Sequence, residues 1–311
     1  MKKLIAAAMA IAAISVISFA AYTMNSSEAV ITNNSMSDES QSDNIFEKTA
    51  GDNEITEKSK DAIDSINPSQ DEIWSAMLNS VDYYNQASGS IICKNPNLDS
   101  ATLIEFETDI DSSKAYAHIL NASIINTDSF EYSCDNTKDM EIYVCNNEEI
   151  SIDNIAKSYY KESNSICTRA NSGKTEIDNR YELDSDGIPC YYYRANPTNI
   201  PTASACLFPQ EYAFGFLTDF SLWQINETET YMGRNCVVIS GVTAKDYGRK
   251  LGVEKFIFYV DIKTGTLLKY IGYTNSGEIS DYVIAKDINF DNAENSVSIS
   301  VTDLSEYVCI N

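Results

Sequence analysis

The sequence predicts an α+β protein built on one large antiparallel sheet with helices packed against it. Three observations carry this. Between Tyr231 and Phe290 four apolar segments rich in β-branched and aromatic residues follow one another: Cys236–Val242, Lys255–Asp261, Leu267–Tyr273 and Asp281–Phe290. The last two gaps hold only turn signals, Lys263-Thr264-Gly265 and Asn275-Ser276-Gly277, and are too short for a crossover helix, so these strands pair antiparallel. Finally, 20 Tyr and 11 Phe against 2 Trp suit strands better than a helical bundle. Several segments are apolar on both sides: Phe256, Phe258 and Val260 point one way, Ile257 and Tyr259 the other. Such a sheet must be covered on each face.

Taken in order, the chain opens on Lys2, Lys3 and a nearly unbroken apolar run to Ala21, which is read as a signal peptide or an N-terminal membrane anchor (1–21). Either reading places the remainder outside the cytoplasm, secreted or anchored. Residues 22–68 are polar and acidic, with too little apolar surface to offset ordering, and are read as a flexible linker. The folded domain is expected over 69–311. Ser69 and Glu72 match a capping box, and Ile73, Trp74, Met77, Leu78, Val81 and Tyr84 recur at helical spacing, predicting a helix to about Tyr84 that Gly89 ends. Strands follow at 90–93 and across 101–151, with a turn at Asp135–Asp139. A second helix is expected over Ile152–Glu162. A strand–turn–strand around Asp186-Gly187 precedes a third helix at Pro209–Leu217, then a strand from Phe220. The sum is about ten or eleven strands and about three helices.

A formal charge of −24 leaves no basic surface for phosphate backbones, so nucleic acid is not an expected partner. Eight cysteines in an exported chain point to disulfides. A zinc site is not expected, with no CxxC pair and His118 as the one histidine. Asp184-Ser185-Asp186-Gly187 opens like a calcium loop but continues as IPCYYY, which reads as a plain turn. GxSxG, HExxH, P-loop and dinucleotide fingerprints are all missing, so no enzyme, cofactor or catalytic residue is expected. Tyr191, Tyr192 and Tyr193 would be the platform of a carbohydrate-directed module.

One stretch resembles a known family. YMGRNCVVISG followed by KFIFYVDIKTGTLLKY is similar to the closing pattern of the family of the lipoprotein carriers LolA and LolB and the envelope-stress regulator RseB. The pattern is carried by Gly233, Arg234, Val260, Asp261, Thr264, Gly265, Leu267, Leu268 and Lys269. The resemblance spans about 71–290 and is specific over the last third. It implies an incomplete β-barrel, a curved sheet with helices on its concave face. It also implies an apolar cavity for an acyl chain, a lipid or a lipidated protein, and points to a membrane regulatory protein as a further partner. The expected lining is Trp74, Met77, Leu78 and Val81 on the first helix, Phe214 and Leu217 on the third, and Phe256 and Phe258 on the sheet. Ordinary helix-on-sheet core is the competing reading of the same residues. Function is thus expected to be non-enzymatic binding at the cell envelope, with an interaction module having a filled core as the alternative.

Overall fold

The structure is a computed structural model, and it describes residues 61–94, 100–163, 167–173, 176, 180–291 and 300–310. The leader and nearly all of the acidic linker lie outside the described residues. Twelve strands form one open sheet made of two meanders set back to back. The first runs outward from β1 (Gln86–Lys94) through β2 (Ala101–Asp109), β3 (Lys114–Asn126), β4 (Glu131–Cys145), β5 (Glu148–Asp153) and β6 (Ser158–Ser163). The second comprises β9 (Trp223–Tyr231), β10 (Arg234–Val242), β11 (Lys255–Asp261), β12 (Leu267–Tyr273) and β13 (Ile279–Phe290). They join where β1 pairs antiparallel with β13. A two-residue strand, β14 (Val308–Cys309), pairs parallel with β6 and ends that edge, while β9 forms the other. Residues between the meanders supply a small hairpin, β7 (Tyr181–Leu183) with β8 (Pro189–Tyr191).

Among the described residues four short helices accompany the sheet: α1 (Gln70–Leu78), α2 (Ser204–Leu207), α3 (Gln210–Leu217) and α4 (Lys245–Leu251). The capping box at α1 is formed as expected, with the Ser69 hydroxyl accepting from the Glu72 N–H and the Glu72 carboxylate accepting from the Ser69 N–H at 2.8 Å. Buried arginines fasten the connecting segment to the end of α1. Arg180 donates to Leu78 O at 2.6 Å and to Gln210 Oε1 at 2.6 Å, and Arg194 grips Asp82 with two bonds of 2.7 and 2.9 Å.

The closing hairpin explains its own motif. Arg234 donates through Nε and Nη2 to the two Asp261 oxygens at 2.9 and 2.8 Å, and Asp261 is 1% exposed. Thr264 donates its N–H and hydroxyl to Asp261 Oδ2, fixing the turn. Gly265 has φ +68, and a Cβ there would lie 2.3 Å from Ala76 O of α1, so only glycine lets the turn sit under the helix. Just before α1, Ala62 and Ile63 donate to Lys263 O and Ile262 O at the same turn. The motif therefore holds helix, turn and sheet together.

Several expectations are corrected. The first helix stops at Leu78, with a 3-10 turn at Ser80–Asp82. Gly89 is not its stop but lies inside β1 at the seam, where a Cβ would meet Asp287 O at 2.1 Å. The expected turn at Asp135–Asp139 is a bulge within one long strand: Leu120 pairs with Asp139 and Asn121 with Asp135, extruding the three residues between. The helix expected over Ile152–Glu162 is the β5–β6 hairpin. Asp153 accepts from the Ile155 and Ala156 N–H groups, and Lys157 has φ +50, which is turn chemistry. Cross-strand pairing overrides the helical propensity of that run. The strand expected from Phe220 begins at Trp223, after a 3-10 turn. Finally, the disulfides expected from export are not formed: all eight cysteines are free, with Cys206 and Cys236 buried as small apolar side chains.

Candidate functional site

The expected binding layer lies between the helices and β10–β13. On α3, Tyr212 and Phe216 are one turn apart and so share a face. Phe216 meets Phe256 at 5.0 Å, Phe258 at 5.3 Å and Tyr270 at 5.4 Å between ring centroids, and Tyr212 stands 4.9 Å from Tyr270. Tyr247 of α4 adds a ring 5.1 Å from Phe216. Most of these contacts are edge-on, the geometry that ring quadrupoles favour. Trp74 donates its indole N–H to Ala213 O at 3.2 Å and stands 6.2 Å from Phe214, which in turn meets Tyr191 and Tyr193 at 5.0 Å each.

Of the eight residues expected to line a cavity, the four aromatic ones form two pairs within this layer. Trp74 and Phe214 lie under the β7–β8 hairpin, while Phe256 and Phe258 lie under Phe216. Met77, Leu78, Val81 and Leu217 are all fully buried. Seven of the eight pack only against protein, while Phe256 also forms part of the wall of an open groove. Phe216, Tyr212, Tyr270 and Tyr247 were missed. The i, i+4 spacing of Tyr212 and Phe216 was the available signal for the first two, but nothing local marks Tyr247.

A carboxyl sits inside this layer. Asp281, 2% exposed, lies directly across from Gly272 in the β12–β13 pair, and Phe256 lies opposite Gly272 on the other side. A Cβ on Gly272 would be 2.1 Å from Asp281 Oδ1 and 2.5 Å from the Tyr270 hydroxyl. The glycine thus makes the niche that the carboxyl occupies. Tyr270 donates to Asp281 Oδ1 at 2.7 Å. Burial, only partly offset by that bond, raises the Asp281 pKa to about 7. Burial likewise raises Glu211 on α3 to about 7.

An open groove of about 420 Å³ runs along the ends of β9–β12. Leu222, Trp223, Val242, Phe256, Ile257 and Tyr273 supply its apolar wall, with Lys255, Gln224, Ser221 and Ser240 at the polar positions. Gly241 forms part of the wall, where any Cβ would press on Trp223 and Leu222 O at 2.6 Å. A second hollow of about 500 Å³ contains Asp109, Asp111 and Asp291, but each of these carboxylates already accepts hydrogen bonds from Gln86, Asn85, Ser112 or Arg169. Among the described residues, no group of three or more His, Cys, Asp or Glu side chains is arranged to hold a metal ion. At the Asp184–Gly187 turn, Asp184 accepts from the Asp186 and Ile188 N–H groups.

The architecture is the one expected, a curved open sheet, almost wholly antiparallel, forming an incomplete barrel accompanied by short helices. No family model matches the sequence, and no curated protein does. Among solved structures, a chain of the MucA/MucB complex from Pseudomonas aeruginosa overlaps at TM-score 0.37 with 11% identity, covering 78% of this chain. This chain spans 63% of the length of that one. LprF from Mycobacterium bovis overlaps at TM-score 0.34 with 10% identity, covering 72% of this chain and 93% of its own. The lipoprotein LppX from Mycobacterium tuberculosis overlaps at TM-score 0.33 with 9% identity, covering 72% of this chain and all of its own. Overlaps this loose say nothing about what this chain binds.

Proposed function

We propose that this chain is an extracytoplasmic, non-enzymatic binding protein that takes an acyl chain, free or carried by a lipidated partner, in the groove beside β9–β12. The groove itself carries the reading. Its volume of about 420 Å³ falls within the range of small-molecule sites, and its wall is apolar with few polar groups. Lys255 is the one cation among its lining residues, in a chain of formal charge −24, and suits a carboxylate or an acidic headgroup at the mouth. The dense ring packing beneath the helices favours the groove over the helix–sheet layer as the place for a ligand. The apolar leader motif supports export, and a role in reporting envelope state is part of the same proposal.

The test is titration of the purified, delipidated chain with a fluorescent fatty acid. Saturable binding is expected, weakened tenfold or more by Ile257→Asp, which puts a charge in the apolar wall. The second reading is a protein–protein interaction module, favoured by the filled helix–sheet layer. Absence of saturable binding would select it over the first.

A further inference from the structure

The groove reading makes no use of Asp281, yet the fold is shaped to house it. Gly272 leaves the space, Tyr270 supplies one hydrogen bond, and the surrounding layer is aromatic. A carboxylate without a bonded cation in such a place is costly, whereas the neutral acid is tolerated. The groups that act on it come from every side. Tyr270 of β12 bonds it directly, Tyr212 of α3 packs on Tyr270 at 4.9 Å, and Tyr247 of α4 and Lys94 of β1 act on it through space. Glu211, once ionised, adds negative potential to both helix tyrosines, while Cys93 stays an uncharged thiol, raised by burial to about 11. The two covering helices therefore meet the sheet at a titrating group.

We propose that Asp281 is a proton-operated latch for the α3–α4 cover: as the neutral acid it lets the helices seat on the sheet, and once ionised it draws water beneath them and opens the aromatic layer. The proton leaves to bulk water, and no other group changes its bonding. The sign follows from linkage. A carboxyl raised from its ordinary 3.8 to about 7 makes the closed form bind more protons than the open one. Closure is therefore tightest below about pH 4, weakens as pH rises to about 7, and is constant above that. The latch does not depend on the groove being a ligand site.

Hydrogen exchange of the segment 245–254 in the full-length chain, corrected for the intrinsic pH dependence, reads the opening directly. The rate is expected to rise by up to about tenfold per pH unit between about 4 and 7 and then level off. Binding of an apolar dye should follow the same curve. Asp281→Asn, isosteric and uncharged, should remove Asp281's share of both rises and leave only the part that Glu211, also raised by burial to about 7, contributes. Tyr270→Phe removes the bond that favours the ionised form, so its midpoint should move to higher pH, which tests the latch independently of the first variant. Glu211→Gln should lose only its own share and keep that of Asp281, and His118→Gln should keep the wild-type rise. A flat wild type, an unchanged rise in Asp281→Asn, an unmoved midpoint in Tyr270→Phe, or loss of the rise in Glu211→Gln or His118→Gln would each overturn the proposal.

Discussion

The two meanders of the one sheet are held by opposite means. The second, β9–β13, is dry on its helix-facing side: Asp261 is buried and clasped by the partly buried Arg234, and aromatic rings cover that side. The first, β1–β6, relies at its far end on polar contacts open to water. There His118 lies 3.0 Å from Glu105 Oε2 and 3.0 Å from Asp139 Oδ1, and Asn154 donates to Asp139 Oδ1 at 2.8 Å and to Glu141 Oε1 at 3.0 Å. The chain's last described segment is tied into the same network, with Tyr307 donating to Asn154 Oδ1 at 2.7 Å and Thr302 to Glu141 Oε2 at 2.9 Å. Val301, Leu304 and Tyr307 then pack on Tyr143, Ile150 and Ile152. A small satellite core and a strap do at one end what a largely buried ion pair and ring packing do at the other.

Three substitutions sharpen this contrast. Asp261→Ala leaves Arg234 without its bidentate partner and frees the Thr264 donors. A loss of about 4 kcal/mol in the denaturant midpoint analysis is expected, as for any broken buried pair. Ile152→Ala removes the centre of the satellite core and should cost about 3 kcal/mol. Its signature is local: the Val308 and Ile310 amides, which donate to Lys157 O and Tyr159 O, should exchange faster while those of β11 do not. Equal acceleration in β11 would show that the meanders open as one unit. His118→Gln should have the smallest effect, under about 1 kcal/mol, because the site is half-exposed and screened. Partial burial opposes the imidazolium, but the bonds to and charges of Glu105 and Asp139 outweigh it and raise the pKa above 6.5. The stabilisation is thus full below pH 6.5 and lost as pH rises through the raised value, so the variant should differ from wild type in acid-to-neutral melts and match it in alkaline ones.

Legibility in the sequence divides along the same line. Lys255–Asp261 and Leu267–Tyr273 were placed to the residue because their alternation is regular and their turns are short. In the first meander, the bulge after Asp135 reads locally as a turn, since its three extra residues are polar and only the pairing of Asn121 and Leu120 with its two flanks reveals a continuous strand. The run from Ile152 has helical propensity and no local sign of the strand it pairs with. At the candidate site, the motif residues from Gly233 to Lys269 marked a hairpin but not the reason for it, namely the Arg234–Asp261 clasp under α1. Asp281 was visible only as the start of a strand. Its importance comes from Gly272 across the sheet, and no spacing rule connects the two. The groove draws on four strands at once and has no contiguous sequence signature.

The seam between the meanders has a kinetic meaning. β1 meets β13 across nearly the whole described domain, from Ala87 opposite Phe290 to Lys94 opposite Tyr282. Every other neighbouring pair in the two meanders is consecutive in the chain and can zip from its own short connection, β10 and β11 through α4. The seam has no such turn, and its closure carries the loop entropy of the entire intervening segment. Two locally formed wings awaiting one long-range docking step is the folding order that this connectivity favours. During that wait both β1 and β13 present unpaired edges, rich in Ile, Val and Ala, to any other copy of the chain. Gly89, whose hydrogen lies where any side chain would strike Asp287, is then the residue on which the last step turns.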